Sequence, residues 1–251
     1  MPKKPLVQQI QEVRLEHQRG TATEKYHPTT GGAYIKDIVY GANDGIVTTF
    51  AMVAGITGAN LSAKVVLILG FVNLFAAGLS MALGNYLGTK SELEYIDRER
   101  KMEEWEIKHI PDLEKQEIKA IYRKKGYRGK QLQQITNLIT SNKKAWVDTM
   151  LVDELGVLPL GDTNPVKKGS VTFFAFVIAG LAPLLPYLLS FASAFNLAII
   201  FTALTLFIVG ALRVFIIRKH WFIAGLEMLF VGAIAAIAAY TTGYFINQKL
   251  L

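Results

Sequence analysis

Apolar residues in this 251-residue chain run together in blocks instead of alternating with polar ones. A bilayer core of about 30 Å takes roughly 20 residues of helix to cross. Five blocks meet that length: residues 38–59, 63–88, 171–191, 197–217 and 222–246. Only helices and closed barrels satisfy their own backbone in lipid, and runs this long and uninterrupted are not barrel strands. The pattern therefore predicts an all-α polytopic membrane protein with five transmembrane helices and a helical cytosolic insert between the second and third. The expected organisation is an N-terminal arm over 1–36, the first two spans over 37–89, the insert over 90–168 and the last three spans over 169–251.

The insert is hydrophilic but carries helix punctuation. One helix is expected to continue out of the second span through Lys90–His109 until Pro111 stops it. A second runs from about Asp112, as N-cap, to Lys125, with Gly126 and Gly129 making the turn. A third covers about Gly129 to Ile139. A last one, around Lys143–Leu155, is ended by Gly156 and Pro159.

Against this frame, polar groups inside the spans are the informative ones. Asp44 lies in the middle of the first apolar block, where a carboxylate costs roughly 2.5 to 3.5 kcal/mol on insertion scales and marks a pathway or a partner. Asp37 lies nearer the expected cytoplasmic mouth, and Asn43 adjoins Asp44. In the second span Asn73, Ser80 and Met81 mark an inward region, Asn85 lies beyond them, and Gly84 and Gly88 offer a close helix contact. A thioether facing a carboxylate at membrane depth makes a transient site for a soft-tolerant divalent cation. Pro183 and Pro186 predict a kink in the third span. Glu227, about one turn inside the fifth, is compatible with cation binding or with pairing to a basic neighbour.

Charge supplies orientation. Lys3, Lys4, Arg14, Arg19, Lys25 and Lys36 precede the first span, the insert is rich in Lys and Arg up to Lys167 and Lys168, and Arg213, Arg218 and Lys219 sit between the fourth and fifth spans. These flanks share one side, so the N-terminus and insert are expected in the cytosol. The polar N-terminus has no apolar stretch of the kind a secretory signal needs. The net charge of +7 needs no nucleic acid, since positive-inside bias and anionic lipid account for it. The chain has no cysteine, which excludes disulfides, thiolate zinc and iron–sulfur clusters. Its four histidines are scattered, leaving carboxylates and methionine as the main metal donors. No resident cofactor is expected.

The insert's acids are spaced for a site. Glu99, Glu103 and Glu106 fall on one helical face, Glu114 and Glu117 are three apart, and Met150 and Glu154 are four apart. Carboxylates from several helices with one thioether suit Fe²⁺ or Mn²⁺. The same spacing also describes a solvated face braced by Lys101, Lys108, Lys115 and Lys119. A third reading starts from Glu106 and His109, the E-x-x-H of di-iron oxidases, which would make the chain a membrane-bound enzyme. Such centres need two such motifs plus two more glutamates, and the insert carries one copy. A metal sensor without transport is a further alternative.

Three strings, DIVYGANDGIVTTFAMVAG, AAGLSMALGNYLGTKSE and AWVDTMLVDELG, resemble the vacuolar iron transporter family, as does the order of parts. The likeness covers about Ile35 to the C-terminus. It implies a homodimeric exporter in a lipid bilayer that moves Fe²⁺, with Mn²⁺ as a second cargo, out of the cytosol in exchange for protons. It implies a plasma membrane in a prokaryote and a vacuolar membrane in a eukaryote. By resemblance Asp44 and Met81 are the membrane metal site, with Asp44 coupling protons. Glu103, Glu106, Glu114, Glu117, Met150 and Glu154 are the cytosolic metal positions, while Glu99 is a surface charge. From their place in the spans, and not from the resemblance, Asp37, Asn43 and Asn73 are candidate pathway positions. Two departures stand out: Leu151 where better-known members have a second methionine, which weakens the soft part of the cytosolic site, and Asn73 where they have a glutamate.

Overall fold

The computed structural model describes residues 5–19, 29–158, 163–212 and 220–250, and every regular element among them is helical. In chain order these are α1 (Leu6–Gln18), α2 (Thr29–Gly58), α3 (Ala63–His109), α4 (Pro111–Lys124), α5 (Gly129–Thr140), α6 (Lys143–Thr149), α7 (Pro165–Gly180), α8 (Leu185–Leu188), α9 (Ala194–Leu212) and α10 (Trp221–Leu250). They form two compact units, one of Met1–Asn85 with Val166–Leu251 and one of Tyr86–Pro165, so α3 contributes residues to both. The basic residues Lys3, Lys4, Lys25, Arg213, Arg218 and Lys219, on which orientation leaned, lie outside the described residues, as does Pro159.

Among the described residues, four helical stretches are long and apolar enough to cross a membrane: α3, α7 through α8, α9 and α10. The 30-residue α2 is not among them. Asn43 and Asp44 interrupt its apolar run. It is nonetheless the packing centre of the first unit, lying against both α9 and α10. Phe50, Val53 and Ile56 of α2 join Val66 and Leu74 of α3 and Phe176, Leu184, Tyr187 and Ala198 in one apolar cluster. On the other side Ala42 and Ile46 meet Ala179, Leu206 and Met228.

The proline-directed kink in the third apolar block is present. α7 stops at Gly180, a 3-10 turn covers Ala182–Leu184, and α8 restarts at Leu185 with Pro186 in its first turn. Proline has no N–H for the helical ladder but tolerates a helix's first turn. The Tyr187 hydroxyl then meets the Thr57 hydroxyl at 3.1 Å, tying this turn to the end of α2.

α2 and α7 run parallel in a constant register. Asp37 faces Lys168, a Cβ on Gly41 would stand 2.6 Å from the Thr172 carbonyl oxygen, and one on Gly45 would collide with the Phe176 backbone. Each pair is offset by the same number of residues, the mark of two helices in contact over successive turns. Glycine at 45 is what lets the backbones meet.

In the second unit the helices follow the sequence reading closely, with two corrections. Asp112 is not the N-cap of α4: Ile110 holds that position and Pro111 opens the helix, because its missing N–H costs nothing there. The last helix is not α-helical to Leu155. α6 ends at Thr149 and a π-turn over Met150–Glu154 follows, in which the Leu155 N–H reaches back to the Met150 carbonyl. Gly126, at φ 102°, makes the turn after α4 in a conformation other residues avoid. On α3, Ser80, expected to face inward, is exposed, and Cβ atoms on Gly84 and Gly88 would meet nothing within 4 Å among the described residues.

Gly45→Val is expected to destabilise the first unit by about 1–3 kcal/mol or more, as overpacking at a closed contact does. A fall in the thermal midpoint of the purified protein in detergent checks this. An unchanged midpoint would mean that α2 and α7 do not approach so closely.

Candidate cation sites

The acids of the second unit are buried by the same helical faces that bury its apolar residues. Glu103 and Ile107 are one turn apart on α3, and Glu114 and Ile118 one turn apart on α4. Ile107 and Ile118 pack with Trp146, Val147, Met150 and Leu151 into an apolar cluster. That packing carries Glu103 to 5% exposure and Glu114 to 2%. Each keeps one carboxylate oxygen, Oε2, out of water with no hydrogen-bond partner. Glu106 joins them half-buried, so that one oxygen from each of Glu103, Glu106 and Glu114 lies within 4.8 Å of the others.

Three carboxylates cannot sit this close and all ionise cheaply. Burial first, then the charge of Glu114, Glu154, Glu106 and Glu117, pushes Glu103 up to about 7. Glu114 is also raised to about 7, by burial and then by Glu117, Glu106 and Glu154. Glu154, in the π-turn, is raised by burial and by Glu117 and Glu106. Glu117 and Glu154 are exposed but act electrostatically on the buried acids, so five carboxylates share one field. Basic groups of the unit pair with other acids: Lys101 with Asp97, Arg100 with Asp148, Lys125 with Asp153 and Lys143 with Glu104. Glu99 bonds to Arg98, outside the cluster.

The remaining positions behave differently. Met150 is fully buried in the apolar cluster at the start of the π-turn, with Leu151 beside it. His109 bonds through Nδ1 to the Trp105 carbonyl at 2.7 Å and stacks on the Trp105 ring, and it is not one of the clustered groups.

In the first unit, Asp37 is 5% exposed on α2. Asn85 of α3 donates to its Oδ1 at 2.9 Å and to the Thr172 hydroxyl of α7 at 2.7 Å. Its Oδ2 has no hydrogen-bond partner, with the Lys168 ammonium 3.9 Å away. Asp44 lies half-buried two turns along the same face of α2, and the Thr48 hydroxyl bonds to its carbonyl oxygen. Asn43, beside it, has a buried Oδ1 with no partner. Met81 is half-buried on α3, one turn from Asn85, and packs on the cluster that holds Leu74 and Phe176. α2 and α3 are joined by a four-residue loop and run back on each other. Starting from the Asp37–Asn85 bond, one turn along α3 reaches Met81 and two turns along α2 reach Asp44. The two therefore differ in height by about one turn, roughly 5 Å. Asn73 is half-buried two turns further along α3. Glu227 is exposed on α10. The apolar cleft of about 330 Å³ among α2, α9 and α10 is lined by groups such as Phe50, Leu206 and Tyr240, with no charged residue, and is no cation site.

Lys168 and Thr172 were missed from the sequence. Lys168 counted as one more basic residue of the insert and Thr172 as filler in an apolar run, although their four-residue spacing at the head of α7 puts them on one face.

A helical membrane protein with acids gathered in each of its two units is the setting for the comparisons. A model of the VIT family matches residues 35–244. The vacuolar iron transporter of Toxoplasma gondii is 35% identical over 228 residues, covering 86% of this chain and 76% of its own. Vacuolar iron transporter 1 of Arabidopsis thaliana is 34% identical over 220 residues, covering 87% of each. Vacuolar iron transporter 2 of Oryza sativa is 32% identical over 220 residues, covering 87% of this chain and 89% of its own. The chain belongs to the VIT family, whose matched relatives are named as transporters and not as enzymes.

The raised acids make stability depend on pH with a definite sign. Glu103 and Glu114 take up protons near 7 in the folded chain and near 4.5 when unfolded. Their contribution is fully present below about 4.5 and is lost as the pH rises through about 7. Without metal, the thermal midpoint is expected to be lower at about pH 8 than at about pH 5.5. Added Mn²⁺, which binds the deprotonated acids, should raise it more at the higher pH. Glu103→Gln with Glu114→Gln should remove both effects; a wild-type midpoint indifferent to pH and Mn²⁺ would contradict the assignment.

Proposed function

We propose that this protein is a secondary transporter that carries Fe²⁺ out of the cytosol in exchange for protons, with Mn²⁺ as a second cargo. The observation that carries this reading is the burial of carboxylate oxygens without donors in both units of a VIT-family chain. The names of the matched relatives supply the metal. In this reading α2 is the first of five spans, the unit from Tyr86 to Pro165 is the cytosolic insert, and the N-terminus is cytosolic. The membrane is vacuolar in a eukaryote and the plasma membrane in a prokaryote.

The cytosolic acids Glu103, Glu106, Glu114, Glu117 and Glu154, with Met150, gather the ion. An incoming cation replaces protons on Glu103 and Glu114, so capture is favoured at neutral pH and weakened in acid. Asp37 and Asn43 receive the ion at the mouth of the first unit. Asp44 and Met81 then hold it at membrane depth, the carboxylate offsetting the charge and the thioether taking a metal of intermediate softness. Asn73 cannot titrate, so proton exchange falls to Asp44, while its amide oxygen remains a ligand for a passing ion.

We assign the dimer contact to α3. Ala76, Ser80, Gly84 and Gly88 recur every fourth residue, all exposed, and Cβ atoms on the two glycines would meet nothing within 4 Å among the described residues. Such a stripe admits close approach of a second helix in lipid.

Asp44→Ala is expected to abolish Fe²⁺ uptake by proteoliposomes and Met81→Ala to reduce it severely, with the protein still folded by size-exclusion chromatography. Near-normal uptake by Asp44→Ala would sink the pathway. For coupling, an internal pH dye should report proton counterflow in the wild type. Asn73→Glu should keep the flux while shifting its pH profile. Wild-type flux indifferent to the proton gradient, with dependence gained in Asn73→Glu, would make this chain a uniporter.

A further inference from the structure

The Asp37 carboxylate is held in two unlike ways. Its Oδ1 takes a hydrogen bond from Asn85, whose amide is fixed in place by a second bond to the Thr172 hydroxyl. Thr172 in turn donates to the Lys168 carbonyl at 3.0 Å, so α2, α3 and α7 are tied together around this one acid. Its Oδ2 is out of water and accepts no hydrogen bond. The Lys168 ammonium stands 3.9 Å from it, about 1 Å outside charge-assisted hydrogen-bond range. Lys168 therefore offsets the charge of Asp37 without ligating it. The adjacent Lys167 lies over the Tyr34 ring, 4.6 Å from its centre, and is turned to a different partner.

We propose that Lys168 is a tethered rival cation at the mouth of the pathway, standing against Asp37 Oδ2 until a divalent ion takes its place there. The ammonium is a point charge on a flexible four-carbon stem, with its side chain 19% exposed, so it has a route toward water as the metal arrives. The ion that displaces it is bound by Oδ2 two turns from Asp44 on the same face of α2. Lys168 is thus a positioning residue that sets the concentration at which metal enters. This rests on the transport reading above, and the test separates the two.

The experiment measures Fe²⁺ uptake by proteoliposomes under anaerobic conditions for the wild type, Lys168→Gln, Lys168→Arg, Asp37→Asn and the Asp37→Asn/Lys168→Gln double variant. Removing the rival charge should lower KM about fivefold in Lys168→Gln. Arginine, which reaches carboxylates with a bidentate fork, is a stronger rival and should raise KM. In the Asp37→Asn background, Lys168→Gln should leave KM where Asp37→Asn put it. A latch that merely braces α2 on α7 predicts lower maximal rate and thermal midpoint with KM unmoved. KM unchanged or raised in Lys168→Gln, or shifted alike by Gln and Arg, overturns the proposal while leaving transport standing. Should Lys168→Gln not fold, the direction of the Arg shift decides alone. Wild-type flux no greater than that of empty liposomes overturns the transport reading, and this proposal with it.

Discussion

A carboxylate oxygen held out of water without a donor is expensive, and the rest of this structure is arranged around such groups. Leaving such a group unsatisfied costs about 1–3 kcal/mol, and more when it is charged. Asp37, Glu103 and Glu114 each bury one. Ordinary folding would place a serine or a backbone N–H against each oxygen, or leave the acid in solvent. Here the apolar residues one turn away on the same helices, Ile107 beside Glu103 and Ile118 beside Glu114, bury acid and hydrocarbon together. The two units relieve the cost differently. In the second, protons occupy the acids near neutral pH. In the first, a nearby ammonium does so. On the transport reading proposed above, both are stand-ins for a divalent cation.

The packing of α2 makes the second solution possible. Because Gly45 lets its backbone meet that of Phe176, α2 and α7 stay in register over successive turns, and Asp37 comes opposite Lys168 as the first contact of that series. Asn85, on α3, then bridges the two. The placement of the charged residues in this unit therefore rests on small ones: Gly45 sets the α2–α7 contact that brings Asp37 opposite Lys168.

Much of this was legible beforehand, for reasons of periodicity. The apolar blocks predict the long helices, and spacing puts Glu103 with Glu106 on one helical face and Glu114 with Glu117 on another, since helical geometry alone decides which residues share a face. What covers a face is not in that geometry. Ser80 shares a span with Met81 yet is exposed, and the neighbours of Asp37 come from helices far away in sequence. The π-turn after Thr149 is equally silent, because no proline or glycine from Met150 to Glu154 forbids an α-helix there. Asp112 was read as a cap from its side chain, when the proline before it had already settled where α4 begins.

The claim underlying all of this is that the buried acids await a divalent cation. Anomalous diffraction from crystals of the full chain grown with Mn²⁺ reads it out atom by atom. The account predicts a peak at ligand distance from Glu103, Glu106 and Glu114 at once, with their Oε2 atoms no longer without a partner. Crystals that hold Mn²⁺ elsewhere, or nowhere, while these three carboxylates keep the arrangement described above, would contradict it.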